Sequence, residues 1–354
     1  MTLRMGEESL VEVAVVARDA CAWPVVTRLG GDRIGVVFHN RPSHGFLEGD
    51  VEAVVSSDGG RSWTAAGVPA PHEPGSNRVH IASGIDPAGN WVVLTTGHKV
   101  TAGRMVGAAP LWYSRCASLE KGEWRIQRHL DLRLPVPFCI PHGRIWPVGE
   151  DRLVATVYQS QGPGRPSRTW VIVSDDGGAS WASVSQIGDG DTNEAVLLPI
   201  ENGKQWIAAV RTHRDHHVDL FRAPDPSGPW TLQGAVTLPM QHPADLSALG
   251  DGRILLTYGI RNKGLMGIGA RPSADFGKTW GAPVVLCTFP GATDCGYPST
   301  VPLDRNGEHL FTACYTNHSL RHTGYQLLSL HWRFTDWFTP RPLRSISDGH
   351  PLQI

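Results

Sequence analysis

The chain has no CxxC spacing, no low-complexity tract and no apolar run approaching the ~20 residues that span a bilayer. Its six cysteines (21, 116, 139, 287, 295 and 314) are scattered. They read as buried thiols in a reducing compartment, not as a disulfide frame or a zinc site. Neither charge is in surplus: 32 Lys and Arg face 33 Asp and Glu, a net charge of -1. That balance excludes the basic excess that nucleic acids and acidic membranes demand. Residues 1–8 lack the apolar stretch of a secretory leader. The expectation is a cytoplasmic protein with no nucleic-acid or membrane partner and no cofactor.

What the chain has in abundance is 40 Gly, 27 Pro and 13 Trp among 354 residues. This mix suits many short strands, tight turns and repeated indole packing better than a helix-rich α/β enzyme. Three segments share the form S-x-D-x-G-x-[ST]-W, beginning at Ser56, Ser174 and Ser273 and ending at Trp63, Trp181 and Trp280. In each, the Asp can accept hydrogen bonds from turn amides, the Gly can take a positive φ, and the Trp can cover the hairpin. Weaker copies end at Trp124 and Trp230, and the pattern closes at Trp332. These six tryptophans recur at intervals of 49 to 61 residues, the period of a four-stranded propeller blade.

A second series of turns at Gly31, Gly89, Gly149, Gly203, Gly252 and Gly307 interleaves with the first. Six of each predict an all-β, six-bladed β-propeller, one domain over residues 1–354. The apolar segment from Leu10 to Val16 is expected to supply the outer strand of the last blade and remove the free sheet edges. The Asp-centred turns then lie on the face opposite the site, where their carboxylates are structural.

Counting back from each first turn locates the starts of the inner strands. They carry Trp23, His80, His142, Glu194, His242 and Tyr297. The second strands end at Arg41, His98, Tyr158, Arg211, Arg261 and His318. Titratable and aromatic residues thus gather at equivalent places around one channel mouth. Each alone could be a satisfied polar residue in a wet channel. His80, His142 and His242 are candidates to hydrogen-bond sugar hydroxyls, with metal ligation as the alternative. Trp23, Trp146 and Trp170 are candidate stacking faces for a sugar ring.

The Asp-centred turns, with Asn193-Glu194-Ala195-Val196, Val210-Arg211, Arg261 and Gly296-Tyr297-Pro298-Ser299, resemble the sialidase superfamily over essentially the whole chain. The resemblance implies a Glu, two carboxylate-binding arginines and a Tyr nucleophile, in that order. Glu194 would activate Tyr297, which would attack the anomeric carbon. A neutral phenol avoids repulsion with an anionic sugar, and a group of pKa ~10 needs a carboxylate beside it. The family's first arginine is absent, its stretch reading Cys21-Ala22-Trp23-Pro24. Arg41 resembles a further family arginine. In the following loop His44, Glu48 and Asp50 are the choices for the acid/base, with His44 and Glu48 preferred.

The function implied is an exo-acting glycoside hydrolase on a terminal, acidic sugar. One alternative is a polysaccharide lyase, with His80, His142 and Tyr297 as acid and base and Arg211 neutralising a uronate. The other is a non-catalytic glycan-binding propeller, since one fold hosts many functions.

Overall fold

The computed structural model describes residues 10–133, 138–159, 166–319 and 322–338. Among the described residues the chain is all-β, with one five-residue helix at Phe334–Phe338 and one 3-10 turn at Glu201–Gly203. The sheets adopt a propeller-like arrangement of four four-stranded blades plus a curled sheet of nine strands. Each blade is an antiparallel meander. The first runs Cys21–Arg28, Ile34–His39, Val51–Ser56, Thr64–Ala65. Two more run from Thr192–Ile200 to Thr231–Ala235 and from Gln241–Gly250 to Val284–Thr288.

The last blade is built from both ends of the described chain. Cys295–Pro302, His309–Ser319 and His322–Arg333 follow one another, and Val11–Arg18 adds the fourth strand. Val11 lies opposite Trp332 and Arg18 opposite Gln326. The N-terminal segment therefore takes the outer position expected of it. It is mostly exposed, as an edge strand should be, whereas every residue of Ile34–His39 is buried. That second strand reads as a continuous apolar run because neighbouring sheets cover both of its faces.

The sequence counts six repeat units, but hydrogen bonding merges two of them. The strands His80–Ile85 and Ile140–Val148 pair in parallel, Gly143 with Ala82 and Ile145 with Gly84. Gly84 is the physical reason. A Cβ there would lie 1.9 Å from the Ile145 carbonyl oxygen, so only glycine lets the two backbones come this close.

Apolar clusters fill the spaces between neighbouring sheets. One joins Val26, Ile34, Val36 and Phe38 of the first blade to Val301, Phe311 and Leu327 of the last. The innermost strands pack in sequence around the axis, and Cys21–Arg28 contacts both His80–Ile85 and Cys295–Pro302.

The three Asp-centred turns share one hydrogen-bond set. Asp58 Oδ1 accepts from the amides of Arg61 and Ser62, both at 2.9 Å, and Oδ2 accepts from the Ser62 hydroxyl at 2.6 Å. The Ser56 hydroxyl donates to Asp58 at 2.7 Å and accepts from the Gly60 amide at 2.7 Å. Asp176 and Asp275 repeat the arrangement with Ser180 and Thr279. Register locates the turn: Ser56 is level with Ile34, which is level with Arg28, the far end of the inner strand from Trp23. These carboxylates serve the turn.

Gly60 has φ +93°, and a Cβ on it would sit 2.5 Å from the fully buried ring of Phe311. Gly89 has φ +82° but nothing within 4 Å. Gly60→Ala is expected to lower unfolding stability by about 3 kcal/mol, from strain and overpacking together, and Gly89→Ala by only about 1 kcal/mol. Urea unfolding of the two variants checks the difference.

Candidate functional site

The inner strands do not begin regularly. Pairing with the second strand shifts register between Cys21 and Val25, His142 and Trp146, Thr192 and Ala195, Gln241 and Ala244, and Gly296 and Ser299. Such bulges leave residues out of the ladder and re-aim their side chains. Trp23 and Tyr297 lie inside two of them with φ of +56° and +48°. A left-handed backbone on a bulky residue costs about 1–3 kcal/mol and persists where the surroundings impose it. The strain turns both rings to the same mouth of the channel, where their centroids are 5.6 Å apart.

Glu194 is the centre of the first charge network. The Tyr297 hydroxyl donates to one carboxylate oxygen, and Arg211 Nη1 donates to the other at 2.7 Å. Glu194 and Tyr297 are only 4% and 5% exposed. Burial alone would raise the Glu194 carboxyl. Arg211, the nearby His142 and the hydroxyl of Tyr297 outweigh it and hold the group well below the usual carboxylate range. Burial, then the charge of Glu194, push the Tyr297 phenol well above its ordinary value. At rest the pair is a phenol donating to a carboxylate. Arg211 Nη2 lies 3.4 Å from His216 Nδ1, and its Nε is buried with no partner among the described residues.

A second network centres on Asp294, which the sequence reading missed. Asp294 accepts from His44 Nδ1 at 3.0 Å, Tyr325 at 2.8 Å and Tyr315 at 2.9 Å, and forms an ion pair with Arg261. Burial would raise this carboxyl, but His44 and Arg261 hold it low. The only signal in the sequence was its place three residues before Tyr297.

The sequence-predicted residues fall into two groups. Glu194, Arg211, Arg261, Tyr297, Trp23, His44, His80, His142 and His242 gather at this mouth. Trp23 touches His44 at 4.8 Å and His80 at 5.3 Å between ring centroids, and His142 meets Tyr297 at 5.8 Å. Arg41 and Glu48 lie apart from them. Arg41 is exposed and donates to the Glu48 carbonyl at 3.1 Å. The Glu48 carboxylate accepts from the Gly75 amide at 2.8 Å and faces His72 at 3.8 Å. Asp50 holds His72 at 2.6 Å.

Two stacking candidates belong elsewhere. Trp146 donates to the Leu197 carbonyl and lines a cavity of about 380 Å³ formed by the C-terminal halves of the inner strands. Trp170 packs against the core around Trp181. Trp146 sits near the far end of its inner strand, four residues beyond His142, and Trp170 lies on the third strand of its sheet.

The histidines form pairs, not one set. His80 and His98 share a hydrogen bond between Nε2 atoms at 3.0 Å, and burial lowers both, so one neutral ring donates to the other. His242 faces His216 at 5.4 Å, and burial pushes it down to about 2. Among the described residues no three His, Cys, Asp or Glu side chains are grouped to hold a metal ion.

Below the mouth, Arg144 crosses the channel. It donates to both oxygens of Asp245, at 3.1 and 2.6 Å, and to the backbone carbonyls of Val26 and Thr300. Asp245 borders a small void beneath Trp23, His142 and Tyr297, while Arg144 borders the cavity at the other end.

No family model matches the chain, and no curated protein matches it in sequence. Solved structures match its fold. A protein of unknown function from Dyadobacter fermentans superposes with TM-score 0.73 at 20% identity, over 92% of this chain and 99% of that one. The Hadza microbial sialidase Hz136 gives 0.68 at 15%, over 90% and 66%. Trypanosoma rangeli sialidase gives 0.65 at 13%, over 91% and 56%, and has also been solved as a covalent intermediate with 2,3-difluorosialic acid. The chain thus spans about half to two thirds of the length of these sialidases.

Asp294→Asn is expected to destabilise the protein by about 3 kcal/mol, because it leaves the buried Arg261 without its counter-charge. Glu48→Gln, at a carboxylate half exposed to solvent, is expected to stay within about 1 kcal/mol. The folded-state Asp294 carboxyl lies below its unfolded value, so its contribution is complete above about pH 4 and is lost as acid titrates the folded protein. The gap between wild type and Asp294→Asn should therefore narrow on acidification, as denaturant unfolding at pH 7 and pH 3 will measure.

Proposed function

We propose that the protein is an exo-acting, retaining glycoside hydrolase in which Tyr297 is the nucleophile and Glu194 its base. We read the nine-stranded sheet as two blades joined along His80–Ile85 and Ile140–Val148, which makes the chain one six-bladed domain. The observation that carries the function is the buried contact of the Tyr297 hydroxyl with Glu194, backed by Arg211. The sialidase likeness of the fold supports it.

Tyr297 attacks the anomeric carbon. As the new C–O bond forms, the phenolic proton passes to Glu194 and the bond to the leaving oxygen breaks. Neither free phenoxide nor free acid is favoured at rest, given the opposed displacements of the two groups. Transfer becomes favourable only as the tyrosine oxygen spends its charge in the new bond. Water then attacks the same carbon, Tyr297 leaves and recovers its proton from Glu194, and configuration is retained. Arg211 and Arg261 hold a carboxylate or hydroxyls of the sugar by charge-assisted bonds. Trp23 stands in the stretch where the resemblance would put the family's first arginine.

A screen of aryl glycosides, acidic sugars included, tests this. Tyr297→Phe and Glu194→Gln should each lower kcat by at least about 100-fold while near-ultraviolet circular dichroism stays native. Equal turnover by Tyr297→Phe would sink the mechanism. An unsaturated uronate absorbing near the ultraviolet, released from a uronate polymer, would move the assignment to a lyase.

A further inference from the structure

We propose that His44 is the proton donor to the departing oxygen and that Asp294 is the positioning residue that prepares it. The proposal rests on the glycosidase reading and supplies the one group which that reading leaves unassigned. Both loop carboxylates are otherwise engaged: Glu48 caps the Gly75 amide, and Asp50 holds His72. His44 alone of the three turns toward the mouth, its ring edge-on to the same indole that contacts Tyr297.

A carboxylate can only accept, so the 3.0 Å contact with Asp294 requires the proton of His44 to sit on Nδ1. That leaves Nε2 as the atom that gives and takes the mobile proton. Asp294 is itself immobilised by Arg261, Tyr315 and Tyr325. The loop is braced as well, since Ser43 donates its amide to the Arg41 carbonyl at 2.8 Å and accepts the Phe46 amide at 2.9 Å. The arrangement is a carboxylate fixing one ring nitrogen so that the other is presented to the reaction.

The proton balance closes. Imidazolium Nε2–H protonates the leaving oxygen as its bond to the anomeric carbon breaks and the Tyr297 bond forms. Neutral Nε2 then accepts a proton from the water that displaces Tyr297, restoring the starting state.

Two measurements test it. In 15N-labelled wild type, long-range 1H–15N correlation should show neutral His44 as the Nδ1–H tautomer; the Nε2–H tautomer would overturn the assignment. Second, 2,4-dinitrophenyl and phenyl glycosides of the sugar found in the screen differ only in how much their leaving group needs protonation. His44→Gln and Asp294→Asn should each lose about 100-fold more kcat/KM on the phenyl than on the dinitrophenyl substrate. Equal losses on the two would overturn the proposal, while Tyr297→Phe losing both would leave the glycosidase reading intact. Absence of turnover on every aryl glycoside would overturn both.

Discussion

Everything at the channel mouth depends on the pairing of Val11–Arg18 with His322–Arg333. That edge joins the two ends of the described chain into one sheet, whose innermost strand packs against Cys21–Arg28. Without it, the sheet holding Tyr297 and Asp294 would be left with an open outer edge at His322–Arg333. Glu194 and Tyr297 are 103 residues apart and meet because successive sheets are held around a common axis.

What converges there is a set of balanced ions. Arg211 is matched by Glu194 and Arg261 by Asp294, all four largely buried. Buried charges need such partners, because withdrawing an ion from water is expensive and one left unmatched is more so. The balance has a chemical side. The same Arg211 that keeps Glu194 ionised also weakens it as a base, so under the proposed mechanism proton transfer is coupled to bond formation. The imidazoles of His80 and His242, whose protonation burial disfavours, add hydrogen-bonding capacity without upsetting the sum.

Local rules carried a large part of this into the sequence. The Asp-centred turns need Asp, Gly and Ser or Thr at fixed offsets, so they were visible as a motif, and their spacing reported the repeat. Glu194, Arg211, Arg261 and Tyr297 were found by position within that repeat. What stayed hidden was set by tertiary approach. Gly84 looks like any strand glycine until the Ile145 carbonyl is placed against it. Asp294 sits one residue before its strand, where acids are common turn residues, and only its four partners single it out. Trp146 and Trp170 were misjudged because composition does not reveal how far along a strand, or on which strand of its sheet, a side chain lies. Bulges at five inner strands moved the remaining side chains by one or two residues, beyond the resolution of counting.

The bridge from Arg144 to Asp245, Val26 and Thr300 also bears on traffic through the molecule. It stoppers the axial passage with a buried ion pair, so the passage is no conduit. A glycan cannot be threaded from one end to the other. Whatever docks beside Tyr297 must back out by the door it entered.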